Sequence, residues 1–352
     1  GRNPWIGIII GYGSAGAGYI GNLLPSVGDV VASSITNGVS EPLGYAVNPM
    51  VNYFFQSVGC IVLALVTTIL TEKILVPLYG DTDRSLRVKG DKSALALTEE
   101  ENRGMKFAGI GAVVFVVLML IFCVPKNGFL RAADGTLIPS SPLMSSLVPI
   151  ISIMFAALGI CYGVGARIIR SKNDIPRMMA NGVKSISTMV LILFVVSEML
   201  YVFNTSNLAT VISVQGERFL TSINFTGFPL MIAFIIVIAF TNLFMYSASA
   251  KWMILAPIFV PMFMNLGVNP AVTQCLYRIG DSCTNNLTPL NAALVYAITL
   301  MNDYRVPEIN KEEAGIGTLL SGQVVFSLVY LVVLIVLFCV FYFCNIPLGL
   351  GV

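Results

Sequence analysis

From Gly317 to Asn345 the chain carries no charged side chain. A helix of about 20 apolar residues crosses the hydrocarbon core of a bilayer, so this run spans one with residues to spare. Further apolar runs occupy about 50–71, 105–124, 144–166, 185–203, 228–246, 252–266 and 288–302. The run 252–266 is short for a crossing and suits one arm of a re-entrant hairpin. Only 11% of the residues are charged, against about 25% in a soluble domain. The sequence reads as an all-α polytopic membrane protein, one transmembrane domain over 1–352.

The connectors orient it. The stretch 73–106 carries Lys73, Arg84, Arg87, Lys89, Lys92, Arg103 and Lys106, whereas 125–143 carries only Lys126 and Arg131. The stretch 167–184 is again basic, with Arg167, Arg170, Lys172, Arg177 and Lys184. The excess of Lys and Arg places the first and third in the cytoplasm, and 80–104 reads as a solvated cytoplasmic loop.

Composition excludes several chemistries. The chain has no histidine, which removes His-based triads, His-ligated zinc and His proton relays. Its cysteines, Cys60, Cys123, Cys161, Cys275, Cys283, Cys339 and Cys344, are irregularly spaced and mostly within apolar runs, and they read as small core residues rather than disulfides or metal ligands. A net charge of +2 without a basic, aromatic-interleaved stripe gives no reason to expect nucleic acid as a partner. The start, GRNPWIG, has neither Met nor a signal peptide, so a stretch lacking its first spans is expected.

Gly11-Tyr12-Gly13-Ser14-Ala15-Gly16 has the G-x-G-x-x-G spacing of a dinucleotide site. The context refuses that reading: Pro25 interrupts, and membrane spans follow instead of βαβ units. Small residues that let backbones approach closely in a re-entrant hairpin are expected.

Polar residues break the apolar pattern in two places. One is GYGSAGAGYIGNLLPSVGD, ending at Asp29. The other extends over TNLFMYSASAKW, GVNPAVTQ and IGDSCTNNLTPLN. They echo each other: Asn22-Leu23-Leu24-Pro25 matches Asn286-Leu287-Thr288-Pro289, and Val47-Asn48-Pro49 matches Val268-Asn269-Pro270. Interrupted segments in both halves of a membrane chain are the mark of a secondary transporter. An acid at membrane depth costs roughly 2.5 kcal/mol or more. Asp29 and Asp281 lie in the breaks and are expected to carry coupling charge, with sodium or protons as the coupling ion and no other cofactor. Glu198, in LFVVSEMLYVF, is expected to be buried, protonated or hydrogen-bonded, and is a further coupling candidate. Ser282, Thr284, Asn285 and Asn286 offer oxygens and amides to an ion or substrate, and Pro289 is expected to open the next helix at its first turn. Asp281→Asn is expected to abolish gradient-driven flux while sparing the fold.

The segments RNPWIGIIIGYGSAGAGYIGNLLPSVGD, VNPMVNYFF, TEKILVPLYG, the whole of 228–291 with SASAKW and GDS-x-TN, and EEAGIGTLLSG with IPLGLG resemble, in order, the p-aminobenzoyl-glutamate transporter (AbgT) family. The resemblance spans the last two-thirds of a family member. It implies a bacterial inner-membrane transporter that is a homodimer, with two opposing re-entrant hairpins in a transport core, here 1–35 and 228–302. It implies import of p-aminobenzoyl-glutamate or export of sulfonamide-type antimetabolites, driven by an ion gradient. The family's functional positions fall on Asp29, Ser249, Trp252, Pro270 and Asp281. The chain departs from the family at TPLNAALVY, where Asn291 replaces an apolar residue, and at Glu198. Since a glutamyl end is anionic and basic residues are almost absent from the apolar runs, Asn22, Ser249 and Asn286 are expected to recognise it with backbone N–H groups; Lys251 and Arg278 are the nearest cations. Trp252 is expected to stack on the aromatic ring of the substrate, with a membrane-interface anchor as the alternative.

Two other functions share some features. An intramembrane aspartyl protease also needs two membrane aspartates, but its G-x-G-D motif would put Gly where Arg278 stands. A passive channel would use broken helices too, but no filter-like carbonyl repeat is evident.

Overall fold

The computed structural model describes residues 3–80, 97–125, 127–132, 141–185, 208–289 and 291–351, with isolated positions between them. Most of the expected span 185–203 and of the expected loop 80–104 lies outside the described residues; from Glu99 onward that loop is already helix. Every regular element among the described residues is a helix. By packing, the chain divides into one unit of Gly1–Val88 with Met199–Val352 and another of Lys89–Glu198.

In the first unit, α1 covers Pro4–Ala17 and α2 Val27–Ser40. Helix α3 covers Tyr53–Leu70 and continues through a π-helical turn, Thr71–Leu75, to Tyr79. That widened turn directly precedes the segment with Pro77, whose ring and missing N–H cannot continue a regular ladder. The second unit contains α4 (Glu99–Cys123), α5 (Leu147–Gly165) and α6 (Asp174–Ser185). Helices α4 and α5 pack together, with Gly111 against Cys161 and Gly104 against Tyr162 and Ala166, the small-residue contact usual between membrane helices. The first unit resumes with α7 (Leu208–Ser222), α8 (Phe228–Thr241), α9 (Ala248–Asn265), α10 (Pro270–Thr284), α11 (Ala292–Asp303) and α12 (Ile316–Phe343).

Among the described residues three helices are long and apolar enough to cross a membrane: Tyr53–Tyr79, Glu99–Cys123 and Ile316–Phe343. Helices α1, α2 and α8 have 14 residues each. At 1.5 Å per residue each is about 21 Å long, short of the roughly 30 Å core.

Asparagine starts several of these helices. Asn3, Asn269 and Asn291 cap α1, α10 and α11 by accepting the N–H two residues ahead, at 3.1, 2.8 and 2.9 Å. Asn48 does the same to Met50 at 2.7 Å. The two Val-Asn-Pro echoes therefore do one job: the amide closes a turn and the proline, which has no N–H to leave unpaired, follows it.

Helix α10 is the hub of the first unit. It packs on α1, α2, α8, α9 and α12, and every residue of it except Val272 is buried. Gly280 permits the close approach to α8, since a Cβ there would lie 2.6 Å from the Ile235 carbonyl oxygen.

Candidate functional site

The two acids of the broken segments meet two cations on or beside α10. Asp281, fully buried in the last turns of α10, receives the Lys251 ammonium from α9 at 2.5 Å, the Asn285 amide at 3.0 Å and the Tyr277 hydroxyl at 3.3 Å. Lys251 also donates to the Asn242 side chain, and the Asn242 amide in turn donates to the Asp281 carbonyl at 2.6 Å. Asp29, 1% exposed, is the third residue of α2. It accepts the Ser26 N–H at 2.5 Å and hydroxyl at 2.8 Å, which fixes the start of α2. Its other oxygen takes the Gln56 amide at 2.8 Å and the guanidinium of Arg278, one turn before Asp281 on α10. Arg278 also donates to the Tyr19 carbonyl and lies 4.7 Å from the centre of the Tyr19 ring.

The pairing is crossed. Arg278 and Asp281, three residues apart on one helix, do not pair with each other; one holds Asp29 of α2 and the other takes Lys251 of α9. Taking a charge out of water costs several kcal/mol, and a partner of opposite sign with further hydrogen bonds offsets it. All four ionic groups here are so matched.

A neutral polar chain runs beside the charges. The Trp252 indole N–H donates to the Thr36 hydroxyl at 3.0 Å, and its ring stacks on Tyr277 with centroids 4.4 Å apart. The Thr36 hydroxyl meets the Gln274 carbonyl oxygen at 2.7 Å; the Gln274 amide donates to Asn52 at 3.0 Å, and Asn52 to the Ala271 carbonyl at 2.9 Å. Helices α2, α9, α10 and the start of α3 are thus joined through buried polar atoms.

The profile of the AbgT putative transporter family matches residues 1–352. The chain belongs to that family. The p-aminobenzoyl-glutamate transport protein of Escherichia coli (strain K12) is 30% identical over 358 residues, covering 100% of this chain and 68% of its own length. Among solved structures, the YdaH transporter of Alcanivorax borkumensis, described as having an unusual topology, superposes with a TM-score of 0.86 at 28% identity, over 99% of this chain and 72% of that one. Neisseria gonorrhoeae MtrF, described as illuminating a class of antimetabolite efflux pumps, gives 0.83 at 32% identity, over 97% and 67%. These relatives are transporters or efflux pumps, not enzymes.

In this AbgT chain the sequence candidates are distributed as follows. Asp29, Asp281, Trp252 and Asn285 join the buried network just described. Pro270 is the first residue of α10. Ser249 is half-buried in the first turn of α9, ahead of Lys251. Thr284 ties α10 to α8 through the Ala239 carbonyl at 2.8 Å, and Ser282 is buried with a hydroxyl that has no protein partner among the described residues. Asn22, half-buried between α1 and α2, donates to the Ser26 hydroxyl at 3.4 Å.

Several expectations need correcting. The break after α10 begins at Asn285, so Asp281, Ser282 and Thr284 are helical. The next helix starts at Ala292 with Asn291 as its cap, not at Pro289; the residue that departs from the family pattern supplies the helix start. Glu198 belongs to the second unit and is exposed rather than buried. Neither tryptophan is an interface anchor: Trp252 is fully buried, and Trp5, 4% exposed, donates to the Met301 carbonyl at 2.6 Å.

The residues that sequence reasoning left outside the site are Lys251, Arg278, Asn242, Tyr277, Gln56, Thr36 and Gln274. The two cations carried a usable signal. Both lie in the polar breaks of an otherwise apolar region, in SASAKW and just before IGDSCTNN, and a buried acid requires a partner.

The G-x-G-x-x-G stretch provides close approach, as its small residues suggest. The Asn286 amide donates to the Gly13 carbonyl at 2.7 Å, and a Cβ on Gly16 would lie 1.9 Å from the Asn286 side-chain oxygen. Gly16→Ala is therefore expected to cost about 1–3 kcal/mol, as overpacking does. Gly7→Ala on the same helix, with nothing within 4 Å of its Cβ, should cost nothing. Thermal unfolding of the two variants in detergent checks this, and equal midpoints would refute the contact.

Proposed function

We propose that this chain forms the core of an ion-gradient-coupled secondary transporter of the bacterial inner membrane. Its cargo is p-aminobenzoyl-glutamate, or sulfonamide-type antimetabolites in the export direction, and it works as a homodimer with sodium or protons as the coupling ion. The observation that supports this reading best is the pair of buried acids, Asp29 and Asp281, each matched to a cation and joined through one buried helix, α10. Helices too short to cross, α1 with α2 and α8 with the helices after it, fit two re-entrant hairpins that meet there. The relatives supply the cargo: one is named for p-aminobenzoyl-glutamate and another for antimetabolite efflux. Ion or proton binding at an aspartate frees its cation and alters how the hairpins are tied, which links ion occupancy to access. Trp252, at the junction of α2, α9 and α10, is placed to meet an aromatic ring once Tyr277 moves off its face.

The test is flux in vesicles reconstituted with the protein. Radiolabelled p-aminobenzoyl-glutamate and a sulfonamide are followed under separate sodium and proton gradients. Accumulation above the equilibrium level under one gradient is expected. Equilibration that ignores both gradients would replace the carrier by a passive channel.

A further inference from the structure

Arg278 has a donor left over. Its two terminal nitrogens are committed to Asp29 and the Tyr19 carbonyl, while its Nε, buried, has no protein partner among the described residues. Leaving a buried donor unmade costs about as much as a hydrogen bond contributes, and more on a charged group. The guanidinium is fully buried, and so is Lys251, whose three-donor ammonium is engaged by Asp281 and Asn242. The chain therefore holds two desolvated cations in its transport core, and each is met by one carboxylate.

The cargo under the transport reading also carries two carboxylates, both ionised at neutral pH, at the end of a ring. We propose that Arg278 and Lys251 are the receptors for those carboxylates, and that Asp29 and Asp281 are internal competitors which the substrate displaces. This rests on the transport reading and names the groups that recognise the anionic end. A planar fork with a spare N–H suits a carboxylate that binds two donors at once, and the ammonium suits the second as a point charge. Aromatic side chains are close to both sites: Arg278 lies over the Tyr19 ring, and Tyr277, stacked on Trp252, sends its hydroxyl to the Asp281 oxygen that takes Lys251, so the ring of the substrate has aromatic partners there. The exchange releases two aspartates, whose charges the coupling ion then meets. Substrate and ion binding are linked in this way without any contact between them. Anion recognition through Asn22, Ser249 and Asn286 alone is replaced by recognition through buried cations; Asn286 instead spends an amide hydrogen on the Gly13 carbonyl.

The experiment is calorimetric titration of the detergent-solubilised protein with p-aminobenzoyl-glutamate and with its neutral diamide, in which both carboxylates are primary amides. The parent is expected to prefer the dianion by about 100-fold, since a hydrogen bond to a charged group is worth roughly 10- to 150-fold in affinity. The double variant Asp29→Asn/Arg278→Gln removes both charges of one pair and leaves no lone buried ion. It should lose about 10-fold or more for the dianion and under about 3-fold for the diamide. Equal losses for both ligands would make the pair structural and overturn the proposal, as would an unchanged affinity for the dianion. Should the double variant not fold, Arg278→Lys, which keeps the charge and loses the fork, is expected to show a smaller selective loss; equal effects on both ligands again overturn it. A parent that binds both ligands alike overturns the receptor assignment alone. A parent that binds neither overturns p-aminobenzoyl-glutamate as the cargo, and the receptor assignment with it.

Discussion

Lys251→Gln is expected to destabilise the protein by about 3–5 kcal/mol, the cost of leaving one member of a buried ion pair without the other. Asp281 would keep the Tyr277 hydroxyl and the Asn285 amide but lose its one cationic partner among the described residues, inside a helix whose side chains are all buried except the half-buried Val272. The double variant Lys251→Gln/Asp281→Asn should recover most of that loss. It removes both charges and retains amide donors for Asn242 and acceptors for Asn285, and replacing both partners of a buried polar pair is far cheaper than removing one. Denaturant unfolding of parent, single and double variants in one detergent closes the cycle. A single variant as stable as the parent would show that Lys251 contributes nothing to the fold.

The second large effect is on flux. Gradient-driven accumulation should fall in Lys251→Gln/Asp281→Asn vesicles to the level seen without a gradient. The sequence alone recommends Asp281→Asn for this test, on the ground that it keeps the shape of the side chain. The structure changes the choice. With Asp281 neutral, the Lys251 ammonium is left fully buried beside the Asn242 amide oxygen, so the single variant is expected to lose stability and flux together and to confuse the two. The double variant separates them. A folded double variant that accumulates substrate like the parent would remove Asp281 from the coupling mechanism.

The architecture was legible where physics acts locally. Apolar runs long enough to cross a bilayer predicted the helices Tyr53–Tyr79, Glu99–Cys123 and Ile316–Phe343 within a few residues at most ends, because length and hydrophobicity alone decide such a segment. The Val-Asn-Pro echoes, visible as a repeated pattern in the sequence, form equivalent turns because an asparagine cap and a following proline act over three residues. The break near Asp281 was displaced for a reason of the opposite kind. Polar residues from Asp281 to Thr284 read as a disrupted helix, but tertiary partners satisfy them and the helix continues: Lys251 is 30 positions away and the Ala239 carbonyl 45. The pairing of Asp29 with Arg278 spans 249 positions, and no local pattern reports it. Arg278 and Asp281 stand one turn apart on the same helix, and packing pairs each with a partner from another helix instead. Counting acids against cations in the two polar breaks would have placed Lys251 and Arg278 in the site; assigning which acid holds which cation required the fold.

Helix α10, buried on all sides and carrying both Arg278 and Asp281, also constrains how the protein is made. A segment is released sideways from the insertion machinery into lipid only when its transfer is favourable, and a charged residue at its centre opposes this by about 2.5–3.5 kcal/mol. With two such residues and little apolar surface to compensate, α10 is a poor independent passenger. Its charges are matched only once Lys251 and Asp29 are beside it, and Lys251 precedes it by a single helix while Asp29 was synthesised long before. Biogenesis of this membrane protein therefore depends on earlier helices waiting near the exit site, so that this doubly charged helix leaves the channel into protein rather than into lipid.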